Sequence, residues 1–503
     1  MAGFDNEKYL REQTVEILER VARFNNKLFL EFGGKLMFDY HAARVLPGYD
    51  PNVKMRLLQE LKEKLEIILC IYAGDIERKK IRADFGITYD VDALKLIDDL
   101  RDRGIERVSV VITRFDSQPS ACAFKNRLER RGVKVYTHRA TRGYPMDVDL
   151  ILSDEGYGAN PYIETTQPLV VVTGPGPGSG KLATCLSQLY HDHVQGRKSG
   201  YAKFETFPIW NLPLKHPVNI AYEVATADLG DYNQIDPFHL EAYGTKSINY
   251  NRDVDAFPLL KAILDRVSSA DGAYQSPTDM GVNRAGFGIV NDEVVREASR
   301  QEILRRSFRY ACEYALGMTA KETVTRTEMI MCELGLKLTD RAVVQPARDA
   351  ADAAQHISDK GHNGVFCGAA IALKDGTIIQ GKNSPLMHAA ASVVMNAVKH
   401  LAGIPDKIHL LPPTVIEAIS RMKHDVLGTK QVSLNLEETL IALTISGTMN
   451  PTSAAAVEKL KELRGCEMHS THIPTPGDEA GLRQVGLNVT SDPGFATKSL
   501  FIT

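Results

Sequence analysis

Pro168-Leu169-Val170-Val171-Val172-Thr173 runs into Gly174-Pro175-Gly176-Pro177-Gly178-Ser179-Gly180-Lys181, and LATCLSQLYHDH follows over residues 182–193. An apolar, β-branched run, a glycine-rich turn and a helical segment in that order form the context a phosphate-binding turn needs. Glycines let the backbone approach an anion closely, and a helix N-terminus adds about half a positive charge. Gly174, Gly176, Gly178, Ser179 and Gly180 are therefore the candidate cradle, with Lys181 as the point charge for a β- or γ-phosphate. The spacing departs from a Walker A motif. Gly174 and Gly180 stand six apart rather than five, and Leu182 occupies the place of the Mg²⁺-binding Ser or Thr. Thr184, less than one turn further on, is the candidate replacement. Pro175 and Pro177 have no N–H to offer. The other reading of these residues is a tight strand-to-helix turn that only makes room for packing.

Outward from this turn, short apolar runs alternate with amphipathic segments. Residues 27–31, 66–72, 107–113, 134–138, 149–152 and 169–173 read as strands, and 92–102 and 121–131 as helices between them. Most of the strands are apolar on both faces, which predicts a mostly parallel, doubly wound sheet covered on both sides. Ligands of such sheets bind beyond the carboxyl ends of the strands. From 203 to 283 the texture changes: FETFPIWNLPLKHP is rich in prolines and aromatics and shows no regular period, so it reads as a long ordered excursion. Residues 292–336 turn helical, and a second α/β unit begins near Val343. The expected organisation is a P-loop-like α/β domain over 1–235, an irregular and helical middle region over 236–340, and an α/β domain over 341–503.

A chain of 503 residues exceeds a single core. Hydrophobic residues make up 44% and charged residues 24%, with 60 Lys plus Arg against 63 Asp plus Glu, a formal net charge of −3. That balance lacks the electrostatic footprint of a nucleic-acid or anionic-membrane binder. No apolar run reaches the ~18 residues of a spanning helix, and MAGFDNEKYLREQ is polar rather than a secretory leader. Seven cysteines are scattered singly, which suits reduced thiols in a cytoplasmic protein.

Other polar clusters fall near predicted strand ends. Gly33-Gly34-Lys35 follows the first strand as a second phosphate contact or an ordinary βα turn. Asp75 and Asp154 follow two strands and suit Mg²⁺ binding or base catalysis; helix capping and solvation are the other readings. Within the excursion, Lys203, Glu205, Asn211, Lys215, Arg252, Asp279 and Asn283 sit among aromatics as a small-molecule pocket would need. The same residues also suit mutual satisfaction across irregular backbone. His191/His193 and His469/His472 lack companions at metal spacing, so no zinc is expected.

Residues 367–383 read as a strand, an Asp375-Gly376 turn and a second strand, followed by the helix HAAASVVMNAVKHLAGI. This hairpin and helix resemble the core of the cytidine-deaminase fold, whose helix start carries His/Cys-Ala-Glu and whose later Pro-Cys-x-x-Cys completes a zinc site. Here His388-Ala389-Ala390 lacks the glutamate, and Pro412-Pro413 is not followed by cysteines. The resemblance implies a kept scaffold without deamination.

KLFLEFGGKLMFDYHAARVLPGYDP, GPGPGSGKLATCLSQLYHDH, GYAKFETFPIWNLPLKHPVN and SPTDMGVN together resemble the bacterial proteins grouped as domain of unknown function family 1846, along essentially the whole chain. The resemblance implies a bacterial cytoplasmic protein with a P-loop-like N-terminal region, a helical middle and a deaminase-like C-terminal subdomain. It brings no catalytic residues. On the chemical reading alone, the expectation is a phosphate- or nucleotide-binding protein, an ATP-dependent phosphoryl or nucleotidyl transferase on a small molecule. Lys181, Asp75 and Asp154 would be catalytic, Thr184 would assist Mg²⁺, and the 203–283 loops would hold a phosphate-containing substrate. The alternative is a non-catalytic metabolite-binding or scaffolding homo-oligomer.

Overall fold

The computed structural model describes residues 2–82, 86–268, 272–429 and 432–497. They form two compact units, Met1–Ser299 and Arg300–Thr503, a division that differs from the three segments read from the sequence.

The first unit is built on seven parallel strands: β1 (Leu28–Phe32), β2 (Leu65–Tyr72), β3 (Val108–Thr113), β4 (Lys134–His138), β5 (Leu169–Thr173), β6 (Gly200–Phe204) and β7 (Gly281–Val282). Their order across the sheet is β7-β6-β1-β5-β2-β3-β4. Every residue of β1 and of β5 is buried, which is why β5 reads as a nearly continuous apolar run rather than an alternating one, while β1 carries one buried carboxylate, Glu31, among its apolar residues. Each Val or Leu so buried contributes roughly 1.5–3 kcal/mol of transfer free energy.

The connections diverge at one point of the sheet. After β1 the chain returns as β2, two places to one side; after β5 it returns, through helix α1 (Lys181–Val194), as β6, two places to the other. Right-handed crossovers put those two connections on opposite faces of the sheet. A crevice therefore opens beyond the carboxyl ends of β1 and β5, which are neighbours in register from Leu28↔Leu169 to Glu31↔Val172.

Two expectations are corrected here. Residues 149–152 are not a strand but part of the short helix Val148–Ile151, because Asp147 caps it by accepting from the Leu150 amide. The 203–283 excursion is largely regular. It holds the helices Pro217–Ala225, Pro237–Tyr243 and α2 (Asn251–Val267), and an antiparallel pair between Asn233–Ile235 and Ile248–Tyr250. Pro217 and Pro237 open helices, where a missing N–H costs nothing, and His216 and Asp236 cap them. The helical stretch after Asp292 is two helices, Asp292–Ala315 and Lys321–Glu333.

The second unit has a mixed sheet of β8 (Gly368–Ala372), β9 (Ile378–Lys382), β10 (Glu467–Ser470) and β11 (Asn488–Ser491), in the order β9-β8-β10-β11. The expected hairpin is β8–β9, antiparallel from Gly368↔Lys382 to Ala372↔Ile378. Helix α3 (Ala389–Leu401) follows, and its small residues Ala389, Ala390, Ala391 and Ala397 lie wholly within the core. Arg341 is buried beside this sheet, donating to Thr490 Oγ1 at 3.0 Å and to the carbonyls of Asn488 at 3.0 Å and Met468 at 3.3 Å.

Candidate functional site

The turn between β5 and α1 is held from outside by its carbonyl oxygens. Thr113 Oγ1 donates to the carbonyl of Ser179 at 2.8 Å, Arg114 Nη2 to that of Gly178 at 2.5 Å, and Thr184 Oγ1 to that of Gly180 at 2.9 Å. A trans peptide points its N–H opposite its C=O, so each tethered carbonyl turns the next amide the other way. Among the described residues the amides of Gly178 and of residues 180–183 donate to no protein acceptor. Gly178 and Gly180 supply the left-handed conformation that such a row of amides requires, with φ of 72° and 91°. Gly176 lies so close to Tyr89 that an added Cβ would fall 2.5 Å from the phenol oxygen.

Lys181 stays with the turn. Its Nζ lies 3.3 Å from the Gly176 carbonyl and 3.5 Å from Ser179 Oγ, half-buried rather than tied into the core. Ser179 is buried as a whole residue. Arg114 adds a second cation, its guanidinium stacked 3.5 Å above the Tyr72 ring.

The Gly33-Gly34 turn stands beside this one. Gly33 N donates to the Phe204 carbonyl at 2.9 Å, and a Cβ on Gly33 would lie 2.8 Å from that oxygen. Gly34 is left-handed, with φ of 70°, and sits above the buried Lys54, whose Nζ pairs with Asp39 at 2.8 Å. Lys54 holds the Asp39 carboxyl below the usual range despite its burial. Lys35 lines a narrow cleft together with Arg82, Lys95, Gly174 and Pro175, so both glycine turns contribute to one crevice.

Three expected partners of that crevice are otherwise engaged. Thr184 is buried; its hydroxyl donates to Gly180 and accepts from Cys70 Sγ at 3.4 Å, which leaves it committed inside the helix. Asp75 is 2% exposed, paired with Arg78 and 3.9 Å from Lys80. Asp154 accepts from Tyr190 at 3.3 Å. Tyr190 lies nine residues along α1 from Lys181, roughly 13 Å away at a helical rise of 1.5 Å per residue.

On the other flank, Lys203 on β6 forms ion pairs of 2.7 Å with both Glu205 and Asp253, the latter on α2. Glu31, the register partner of Lys203 on β1, accepts from Tyr201 at 2.8 Å. Burial pushes Glu205 up to about 7; Lys203 opposes the shift, and Asp253 and Glu31 reinforce it. Burial disfavours a charge on Lys203, yet Asp253 and Glu205 outweigh it and raise its pKa above the usual lysine range.

The remaining substrate candidates serve other ends. Asn283 spends its amide on the Pro208 carbonyl at 2.7 Å, and Arg252 pairs with Asp231 at 3.0 Å. Asp279 accepts from Tyr243 at 2.9 Å and from the Gln275 amide at 2.8 Å. Asn211 packs against Gly286, and Lys215 is exposed. Mutual satisfaction across loops accounts for Arg252, Asp279 and Asn283. Thr113, Arg114, Tyr72 and Tyr89 were missed, since a threonine or arginine at a strand end carries no signal until the sheet order sets it beside the turn.

In the second unit, His388 caps the start of α3 and its Nδ1 lies 2.7 Å from Asp478, a fully buried carboxylate that also accepts from Thr475. His469 bonds Thr490 and lies 3.5 Å from Asp492, while His472 meets Ser470 at 3.3 Å. Among the described residues no group of three or more His, Cys, Asp or Glu is arranged to hold a metal ion. No described helix is long and apolar enough to cross a membrane. All seven cysteines are free thiols.

Comparison with known proteins covers nearly the whole chain. Residues 2–335 match the family described as "Domain of unknown function DUF1846, N-terminal", and residues 339–501 match "Domain of unknown function DUF1846, C-terminal". A "UPF0371 protein" of Clostridium tetani (strain Massachusetts / E88) is 57% identical over 499 residues, 99% of each chain. One of Clostridium botulinum (strain Langeland / NCTC 10281 / Type F) is 58% identical over the same length and the same 99% of each chain. By both halves of the match and by these bacterial relatives, the chain belongs to the DUF1846 family.

Proposed function

We propose that this protein binds a phosphate-bearing small molecule, a nucleotide or a phosphorylated metabolite, in the crevice between the turns at Gly33-Gly34-Lys35 and Gly174–Lys181. The observation that carries this reading is the tethering of the Gly178, Ser179 and Gly180 carbonyls to Arg114, Thr113 and Thr184, which turns the amides of residues 179–181 the other way, in a stretch where the amides of Gly178 and of residues 180–183 donate to no protein acceptor among the described residues. A row of such amides at a helix N-terminus favours an oxyanion by charge and by hydrogen bonding. Lys181 and Lys35 supply the counter-charge. The turn is in this sense P-loop-like: strand, glycine turn, helix and lysine are all in place. Thr184 and Asp75 are engaged elsewhere, so the reading is one of anion binding without a Walker-type Mg²⁺ site.

In the second unit, the β8–β9 hairpin, the helix after it and His388 at that helix start support a deaminase-like scaffold. Asp478 takes the place of a metal as the partner of His388.

Calorimetric titration with inorganic pyrophosphate and with ADP, in the presence of EDTA, tests the anion site. Lys181→Ala is expected to weaken pyrophosphate at least tenfold without lowering the melting temperature of the free protein. Pyrophosphate affinity unchanged in Lys181→Ala, or no binding to the wild type at millimolar concentration, overturns the proposal.

A further inference from the structure

Residues 439–457, TLIALTISGTMNPTSAAAV, include no Asp, Glu, Lys, Arg or His, in a chain of which 24% is charged. The run covers most of the helix α4 (Leu436–Gly447) and most of α5 (Pro451–Lys459). α4 turns Leu436, Thr439, Ala442, Leu443 and Ser446 into the protein, with Leu436, Ala442 and Leu443 in the core of the second unit. A surface helix carries charged or polar residues opposite such a stripe. Here the opposite face carries Ile441, Thr444 and Ile445, and Thr448 and Met449 continue it past the helix end. Ile441 is 62% exposed, Ile445 53% and Met449 78%. A helix apolar on all sides belongs in an interior.

Residues 441, 445 and 449 stand four apart and form one ridge, the kind that packs into the grooves of another helix. The hydroxyls beside that ridge are already spent. Thr444 Oγ1 donates to the Leu440 carbonyl at 2.8 Å, and Thr448 Oγ1 to the Ile445 carbonyl at 2.7 Å, so covering them strands no donor. The charges at the start of α4 are engaged as well. Glu438 pairs with Lys423 at 2.9 Å, and Glu437 accepts from Gln484 at 3.1 Å. The Lys423 pair sets the segment Met422–Val426 beside that start, where Val426 and Leu427 add exposed apolar surface.

Charge decides what fits this face. A nucleic acid or an anionic membrane calls for basic residues, and the run has none. Across a twofold axis a surface meets itself, which brings every charge on it towards its like; a face without charges is spared that repulsion. Contiguous exposed apolar patches mark interaction sites more often than free surface. We propose that the outer face of α4 docks against the same face of a second copy of this chain. Ile445, at the middle of the ridge, lies at the twofold axis and meets its own counterpart. The inference does not depend on the anion site.

Sedimentation velocity of the full chain over a concentration series tests it. The wild type is expected to pass from monomer to dimer as concentration rises. Ile445→Lys and Ile445→Asp are each expected to raise the dissociation constant of the dimer at least tenfold, with the melting temperature of the monomer unchanged because the side chain is exposed. Since position 445 meets itself, an equimolar mixture of the two variants is expected to associate more tightly than either alone. If Ile445→Lys melts below the wild type, Thr444→Lys, exposed on the same face, takes its place in the association measurement. A wild type that stays monomeric throughout overturns the proposal, and so does association of the single variants as tight as that of the wild type. A mixture that associates no more tightly than its components overturns the placement of Ile445 at the axis and the proposal with it.

Discussion

Thr113, the last residue of β3, donates its hydroxyl at 2.8 Å to the carbonyl of Ser179, in a turn 66 residues further along the chain. The bond ties the glycine turn to a strand that is not its neighbour in the sheet, and it fixes which way the Gly180 amide faces. Thr113→Val keeps the shape and removes the donor. The buried carbonyl it leaves costs about 1–3 kcal/mol. Urea unfolding should show that loss together with weaker pyrophosphate binding, and Thr113→Ser should recover both.

Gly180 and Gly178 provide a graded pair. Both have positive φ, so a side chain at either position is strained by about 1–2 kcal/mol. Only at Gly180 does an added Cβ also meet Thr113, at 2.7 Å, whereas Gly178 faces open space. Gly180→Ala is expected to destabilise the first unit clearly more than Gly178→Ala in parallel denaturation curves.

Thr184 spends its hydroxyl on Gly180 and Cys70, so removing divalent metal should leave anion binding alone. EDTA is expected to change the pyrophosphate dissociation constant less than twofold. Thr184→Val should lower stability by about 1 kcal/mol without creating any Mg²⁺ dependence.

Acid should weaken both units through buried histidines. Burial lowers His138 in the first unit and His472 in the second from 6.5 to about 4. Between those values the unfolded chain takes up a proton that the folded chain refuses, so stability falls as pH drops from 6.5 towards 4. Each histidine accounts for about 3 kcal/mol at the low end. Urea midpoints between pH 7 and pH 4.5 check this, and His472→Gln should flatten the acid limb of the second unit.

Arg341 is 2% exposed and donates to Thr490, Met468 and Asn488, with Glu467 as its ion-pair partner. Arg341→Ala strands several acceptors at once and should cost about 3–5 kcal/mol. Chemical denaturation of the full chain, followed by far-UV circular dichroism, measures it.

Five of the six expected strands were legible; in residues 65–72 and 169–173 burial on both faces leaves nearly continuous apolar runs, whereas the half-buried edge strand Lys134–His138 gave only a short β-branched and aromatic stretch. Residues 149–152 misled because four apolar-rich positions look alike as strand or helix, and the Asp147 cap decided between them. Pro217 closes the stretch that read as irregular chain, although at a first helical position a proline starts a helix. Glycines and lysine marked the turn itself. The residues that shape it, Thr113, Arg114 and Tyr89, come from strands and helices brought beside it only by the sheet order, which periodicity does not encode. The position of Asp154 was not legible for the same reason, since its place beside Tyr190 depends on how the chain packs along α1.

Pro175 and Pro177 surrender two amides, but their rings fix φ in the first half of the turn, while Thr113, Arg114 and Thr184 grip the second half. On the proposed reading, an incoming anion would meet a mould that has already set. Little freedom would remain to be frozen on association, so residence time at this edge would depend on how many oxygens the guest presents rather than on any closing motion of the host.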